Sequence, residues 1–195
     1  MVNEGEIRAT AMARGRALKR ANALTAVLCG GIPAAILAVW FPNTPARWLA
    51  GFFIGLLWAN AFEYVYHRFL LHVPGNFISR GHLEHHASVG APVEAEHVNL
   101  GGSPFWVALL FVVNSAPVIA ADVLGGWGVA PGVLAGFVVY LITVEEVHWR
   151  VHVGGWLPPG LGAVRAYHLA HHDRPDSRYN IFLPLFDSFF GSARG

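Results

Sequence analysis

Cysteine is almost absent from this 195-residue chain: Cys29 stands alone, inside an apolar run. A single buried-span thiol leaves disulfides, thiolate metal sites, haem attachment and a cysteine nucleophile without support. The chain also has no Gly-x-Gly-x-x-Gly fingerprint and no P-loop, and its Gly-Gly pairs starting at Gly30, Gly101, Gly125 and Gly154 are isolated. They read as helix ends or turns, so no dinucleotide is held through a Rossmann unit. Charge is scarce as well: 13% of residues are charged against 54% hydrophobic, with a formal net charge of +1. That balance is too apolar for an ordinary soluble domain, and no nucleic-acid partner is expected. No fixed-period repeat, low-complexity tract or linker divides the chain, which predicts one domain.

What the chain does have is long apolar runs. Residues 22–41 and 48–62 carry no charge, and neither do 104–121 or 123–144. Each approaches the roughly 20 residues that cross a bilayer. An all-α integral membrane fold follows, with four transmembrane helices at about 22–41, 48–66, 104–124 and 129–147 in a domain over 22–195 and a cytosolic histidine-rich helical cap. In this topology Arg8, Arg14, Arg16, Lys19, Arg20, Arg68, Arg80, Arg150, Arg165, Arg174, Arg178 and Arg194 share one side, and only Arg47 faces the other. By the positive-inside rule the first side is cytoplasmic, together with both termini. The apolar part of the first run is too long for a cleaved signal, so it reads as a retained anchor, in a bacterial inner membrane. Residues 1–21 form a basic leader at the cytoplasmic surface, expected to serve orientation and lipid contact alone.

Histidine is the second abundance. Ten of the eleven fall into tight clusters: His67 with His72; His82, His85 and His86; His148 with His152; and His168, His171 and His172. On a helix, residues three and four apart share a face, so imidazoles at this spacing converge. The pair His67 and His72 does not suit a straight helix, because five residues rotate by roughly 140° past a full turn. Either the helix ends between them or they face different metals. Ten ligands are too many for one ion and match two, at about five each. Imidazole suits zinc, copper, iron and nickel alike, so ligand type does not select the ion. Neutral histidines cancel none of a metal's charge, so carboxylates that orient ring N–H groups are expected nearby. Glu63, Glu84, Glu145, Glu146 and Asp173 are the candidates, with Asn180 and Asp187 as further polar groups. His97 lies outside the clusters and reads as a surface or loop-fixing residue. Trp58, Phe62, Phe105 and Phe111 could line an acyl channel, but packing is the better reading for aromatics in membrane helices.

The four clusters, His67-x4-His72, His82-x2-His85-His86, His148-x3-His152 and His168-x2-His171-His172, resemble the histidine boxes of the fatty acid hydroxylase and sterol desaturase superfamily. The tail Asn180-Ile-Phe-Leu-Pro-Leu-Phe-Asp187-Ser-Phe-Phe-Gly191 is similar to the segment after the last box, and the likeness covers roughly residues 50–191. The resemblance implies a non-haem di-iron oxygenase of lipid metabolism with two iron ions, zinc being possible in a purified sample. It implies use of O2 and two external electrons to hydroxylate or desaturate an unactivated C–H position of a lipid, with no catalytic residue beyond the metal centre. No flavin, haem or iron-sulfur signature is present. Electrons must therefore come from a separate protein, ferredoxin-like or cytochrome-like plus its reductase, docking on Arg165, Arg174 and Arg178.

Three rivals stay open. A carotenoid hydroxylase uses similar boxes, though the third cluster and the tail fit it less well. A membrane metal transporter or metal-binding protein would need ligands along a path near the bilayer midplane, whereas these gather at one end. A zinc hydrolase would need an open position beside a general base.

Overall fold

The computed structural model describes residues 3–41, 43–100 and 102–194. Met1, Val2, Pro42, Gly101 and Gly195, which the expected leader, turns and terminus include, lie outside them. The described residues contain helices and no strand. Among the described residues, four helices are long and apolar enough to cross a membrane: α1 (Glu4–Trp40), α2 (Pro45–Leu71), α5 (Pro104–Gly125) and α6 (Ala130–Val153). Between and after them lie α3 (Ser79–Ser88), α4 (Glu94–His97), α7 (Gly162–Asp173) and α8 (Leu185–Phe190). The protein is thus an all-helical integral membrane protein with its histidines gathered in one cluster-bearing part.

Two π-helical turns interrupt the long helices, and each has a local cause. In α1 the turn spans Val27–Gly31, which ends two residues before Pro33. Pro33 has no N–H for the Cys29 carbonyl and its ring crowds that carbonyl, so the helix widens there. In α2 the turn spans His67–Leu71 and the helix stops at His72. A π turn bonds residue i to i+5, which aligns residues five apart on one face. This resolves the awkward spacing of His67 and His72.

Contacts divide the chain into two units. One comprises Arg20–Ala59 and Ser103–Thr143. Its tightest packing pairs Gly51 and Gly55 of α2 with Gly132 and Gly136 of α6. A Cβ on Gly55 would stand 2.2 Å from the Val133 carbonyl oxygen, and one on Gly136 would stand 2.3 Å from that of Phe52. Helices in lipid gain nothing from burying apolar surface against each other, so close backbone approach through small residues carries the association. At the end of α5, Asp122 accepts from the backbone N–H groups of Val129 and Ala130, both at 3.0 Å, and so caps the start of α6.

The other unit comprises Met1–Lys19, Asn60–Gly102 and Val144–Gly195 and contains every histidine. The basic N-terminal segment packs into it and is not confined to orientation and lipid contact. Ala11 is buried, a Cβ on Gly15 would meet the Ala95 carbonyl oxygen at 2.0 Å, and Asn99 Nδ2 donates to the Gly15 carbonyl. Lys19 pairs with Glu146 and lies over the Trp149 ring, and Arg14 pairs with Glu96 at 3.2 Å.

The glycine contacts give a test. Gly136→Leu should abolish a monodisperse folded peak in detergent size-exclusion, because the clash is with backbone. Gly81→Ala, where nothing lies within 4 Å, should elute normally and stabilise α3 by about 1 kcal/mol. Normal elution and melting of Gly136→Leu would contradict this packing.

Candidate metal centre

The ten clustered histidines resolve into two sets of five. His67, His72, His82, His86 and His171 form one, and His85, His148, His152, His168 and His172 form the other, with the ligand atoms of each set all within 4.8 Å of one another. The adjacent pairs split. His85 and His86 are about 100° apart around α3, so they cannot aim at one point. His86, a turn from His82, joins the first set while His85 crosses to the second; on α7, His172 stays with His168 in the second while His171 crosses to the first. The two triplets therefore lace the sets together, two ligand atoms to one and one to the other. The sets adjoin, with the rings of His86 and His172 centred 4.1 Å apart.

Within the first set, Nε2 atoms of His67, His72 and His82 form a triangle with edges of 3.0, 3.0 and 3.1 Å, and His86 Nε2 lies 3.0 Å from that of His82. In the second, His168 Nε2 lies 2.9, 3.0 and 3.1 Å from those of His148, His152 and His172. An imidazole nitrogen carries one lone pair or one hydrogen, so it cannot serve three neighbours by hydrogen bonding. Edges near 3.0 Å are what donors at right angles around an ion at about 2.1 Å span; a tetrahedral shell would need about 3.4 Å. The residues present fit an ion of five or six coordination better than a closed tetrahedral site. His85 supports this reading, since neither of its buried ring nitrogens has a hydrogen-bond partner among the described residues.

Tautomers are set from behind. His67 Nδ1 bonds to the Tyr179 carbonyl and His171 Nδ1 to that of Ser177 at 2.6 Å, and a carbonyl only accepts. Both hydrogens must therefore sit on Nδ1, which leaves the Nε2 lone pairs pointing into the first set. Glu94 does the same for the second, its carboxylate 2.9 Å from His152 Nδ1. Burial raises the Glu94 pKa, but hydrogen bonds from His152 and the Gly90 N–H outweigh it and hold the carboxyl below its ordinary value. Neither Glu94 nor the two carbonyls can be inferred from the order of residues, because no helical or strand period links partners 58, 112 and 6 positions apart.

The other polar candidates are placed as follows. Glu63 accepts from Asn180 Nδ2 at 2.8 Å and from the Ile181 N–H at 3.1 Å, and Asn180 also donates to the Asn60 carbonyl. Fully buried Asp187 accepts from the Tyr179 and Asn180 N–H groups, from Tyr167 and from Ser192. Burial and Asp187 push the Tyr167 phenol well up, so it remains a donor. These bonds hold the stretch of chain that carries the Ser177 and Tyr179 carbonyls. Glu146 engages Lys19 and Arg150, Glu84 lies 3.9 Å from His97 outside both sets, Glu145 is buried, and Asp173 is exposed. Arg165 donates to the carbonyls of Arg150 and Gly155, which ties down the loop after α6, while Arg174 is exposed.

Residues 52–192, more than half of the chain, match the family described as Fatty acid hydroxylase. The chain belongs to that family. Among its relatives, the Arabidopsis thaliana protein named dihydroceramide fatty acyl 2-hydroxylase FAH2 is 30% identical over 154 residues, covering 72% of this chain and 59% of the relative. The Mus musculus fatty acid 2-hydroxylase is 30% identical over 151 residues, covering 71% of this chain and 38% of the relative. The chain thus spans little more than half, or less, of the length of these curated relatives. A solved structure described as full-length scs7p, with only the hydroxylase domain visible, aligns with a TM-score of 0.61 over 87% of this chain and 62% of that one, at 22% identity. That likeness speaks for the fold.

Burial first, then the charge that neighbouring imidazoles would carry, pulls His72 down to about 4, His86 to about 3 and His172 to about 2. Above the ordinary value of about 6.5 these groups are neutral whether the chain is folded or not. Below it the unfolded chain takes up protons that the folded chain does not, so the metal-free protein loses stability from about pH 6.5 toward pH 4. Thermal unfolding of metal-stripped protein in detergent should show the midpoint falling over that window; a flat midpoint would contradict it. Glu94→Ala should weaken metal affinity by about 10–100-fold.

Proposed function

We propose that this protein is a membrane-bound, non-haem di-iron oxygenase that hydroxylates a fatty acyl lipid with O2 and two electrons from a separate donor protein. The observation that carries this reading is the pair of adjoining five-histidine sets in a chain of the fatty acid hydroxylase family. Each set is read as holding one iron ion: His67, His72, His82, His86 and His171 the first, and His85, His148, His152, His168 and His172 the second. The names of the plant and mouse relatives favour carbon 2 of the acyl chain, and hydroxylation over desaturation.

Bound iron would supply the activation of O2 and the removal of hydrogen from carbon. The chain's own residues do the rest. The imidazoles stay neutral and present lone pairs, with Glu94 and the Tyr179 and Ser177 carbonyls fixing three of them. His148, His168 and His171 are fully buried, which limits the water that reaches these ligands. A ferredoxin-like or cytochrome-like donor is expected on the face of Arg174 and Arg178. The one-sided basic residues support multi-pass insertion with both termini cytoplasmic, and a bacterial inner membrane is the expected setting.

Lipid extracts of cells with and without the chain, compared by mass spectrometry, test this directly. Expression should add one oxygen to a fatty acyl species. His85→Ala and His171→Ala should each abolish the product, and His97→Ala should leave it near normal. Loss of two hydrogens in place of the added oxygen would indicate desaturation, and no acyl change beside bound metal would favour metal handling.

A further inference from the structure

The six-residue helix α8 is built inside out. Its one acid, Asp187, is fully buried, while Leu185, Phe189 and Phe190 are 51%, 79% and 56% exposed. The orientation is locked, because four hydrogen bonds from Tyr179, Asn180, Tyr167 and Ser192 converge on Asp187. Rotating the helix to hide the phenylalanines would break all four. A surface so fixed and so apolar is out of place in water.

What covers it follows from its neighbour. Phe190 stacks on Tyr64 of α2 at 5.2 Å, and Val65 and Phe69 of α2 are themselves exposed. The spanning helix Pro45–Leu71 has 27 residues. At 1.5 Å per residue that is about 40 Å, some 10 Å more than the hydrocarbon core. A run of about 20 residues counted from Trp48 ends at His67. Tyr64 to Leu71 therefore fall at the level where acyl chains give way to head groups. Arg68 sits at that level among rings: its guanidinium bonds to the Tyr64 hydroxyl and lies 5.1 to 5.7 Å from the centres of Tyr64, Phe69 and Tyr179. None of the carboxylate ion pairs among the described residues involves it. An arginine stem on aromatic faces, without an acidic partner, suits a lipid phosphate.

We propose that α8, with Phe69 and Arg68, is a second, non-spanning membrane seat: Leu185, Phe189 and Phe190 insert at the acyl and head-group boundary, and Arg68 meets the phosphate layer. The occupant is the bilayer itself. Because α8 holds the Asp187 network that positions the Tyr179 carbonyl behind His67, this seat fixes the height of the first histidine set above the leaflet. The inference rests on the membrane setting and not on the reaction catalysed.

Site-directed spin labelling of the full chain in phosphatidylcholine and phosphatidylglycerol vesicles tests it. With Cys29→Ser as background, Leu185→Cys and Phe189→Cys would be labelled, beside Asp176→Cys as an exposed control. Collisions with oxygen, which partitions into lipid, should dominate at 185 and 189, and collisions with a water-soluble nickel chelate should dominate at 176. Phe189→Trp, which keeps an aromatic ring, should add a tryptophan component quenched by lipids brominated high on the acyl chain. Nickel access at 189 equal to that at 176 would put α8 in water and overturn the proposal. Protection from both agents would mean that protein, such as a second copy, covers it, and would overturn it equally. Neither readout depends on metal loading or product formation.

Discussion

Imidazole lone pairs directed at one another from 3.0 Å repel, and the more deeply they are buried the less water can relieve them. Ten such groups in two adjoining pockets are tolerable only around positive charge, so the surrounding structure is best understood as what holds them in place without it. Carbonyls of Ser177 and Tyr179 and the carboxylate of Glu94 fix three rings. The carbonyls are fixed in turn by Asp187 and Glu63, which gather the backbone of the tail. An apolar core would be cheaper at every one of these positions, which makes function the reason for the arrangement.

The same logic explains why the helices break where they do. A straight α2 would point His67 and His72 apart; the π turn brings both Nε2 atoms into one set, 3.1 Å from each other. On α3 and α7 regular helix is kept, and the 100° step between neighbouring residues is what distributes each triplet over two sets. Four elements thereby share two sites, and no single element completes either.

Much of this was legible in the residues. The spans showed as uncharged runs, and the one-turn spacing of the histidines marked them as a site. The division into fives by number was also readable, but which histidine joins which five was not, because the crossing of His85 and His171 depends on how α3 and α7 face one another. Glu94 was hidden for a similar reason: it lies in a short loop helix and meets His152 only through tertiary packing. Glu146 looked well placed near His148 in the sequence, yet helical residues two apart face nearly opposite ways, and it turns to Lys19 and Arg150. The leader's basic residues suggested lipid, while its small residues Ala11 and Gly15 carried the packing signal.

Metal stoichiometry together with X-ray absorption of the purified, iron-loaded protein tests the central claim most directly. Two ions per chain, each surrounded by about five nitrogen donors near 2.1 Å, are expected if both sets bind. One ion per chain, or a shell containing carboxylate oxygen from the protein, would contradict the account.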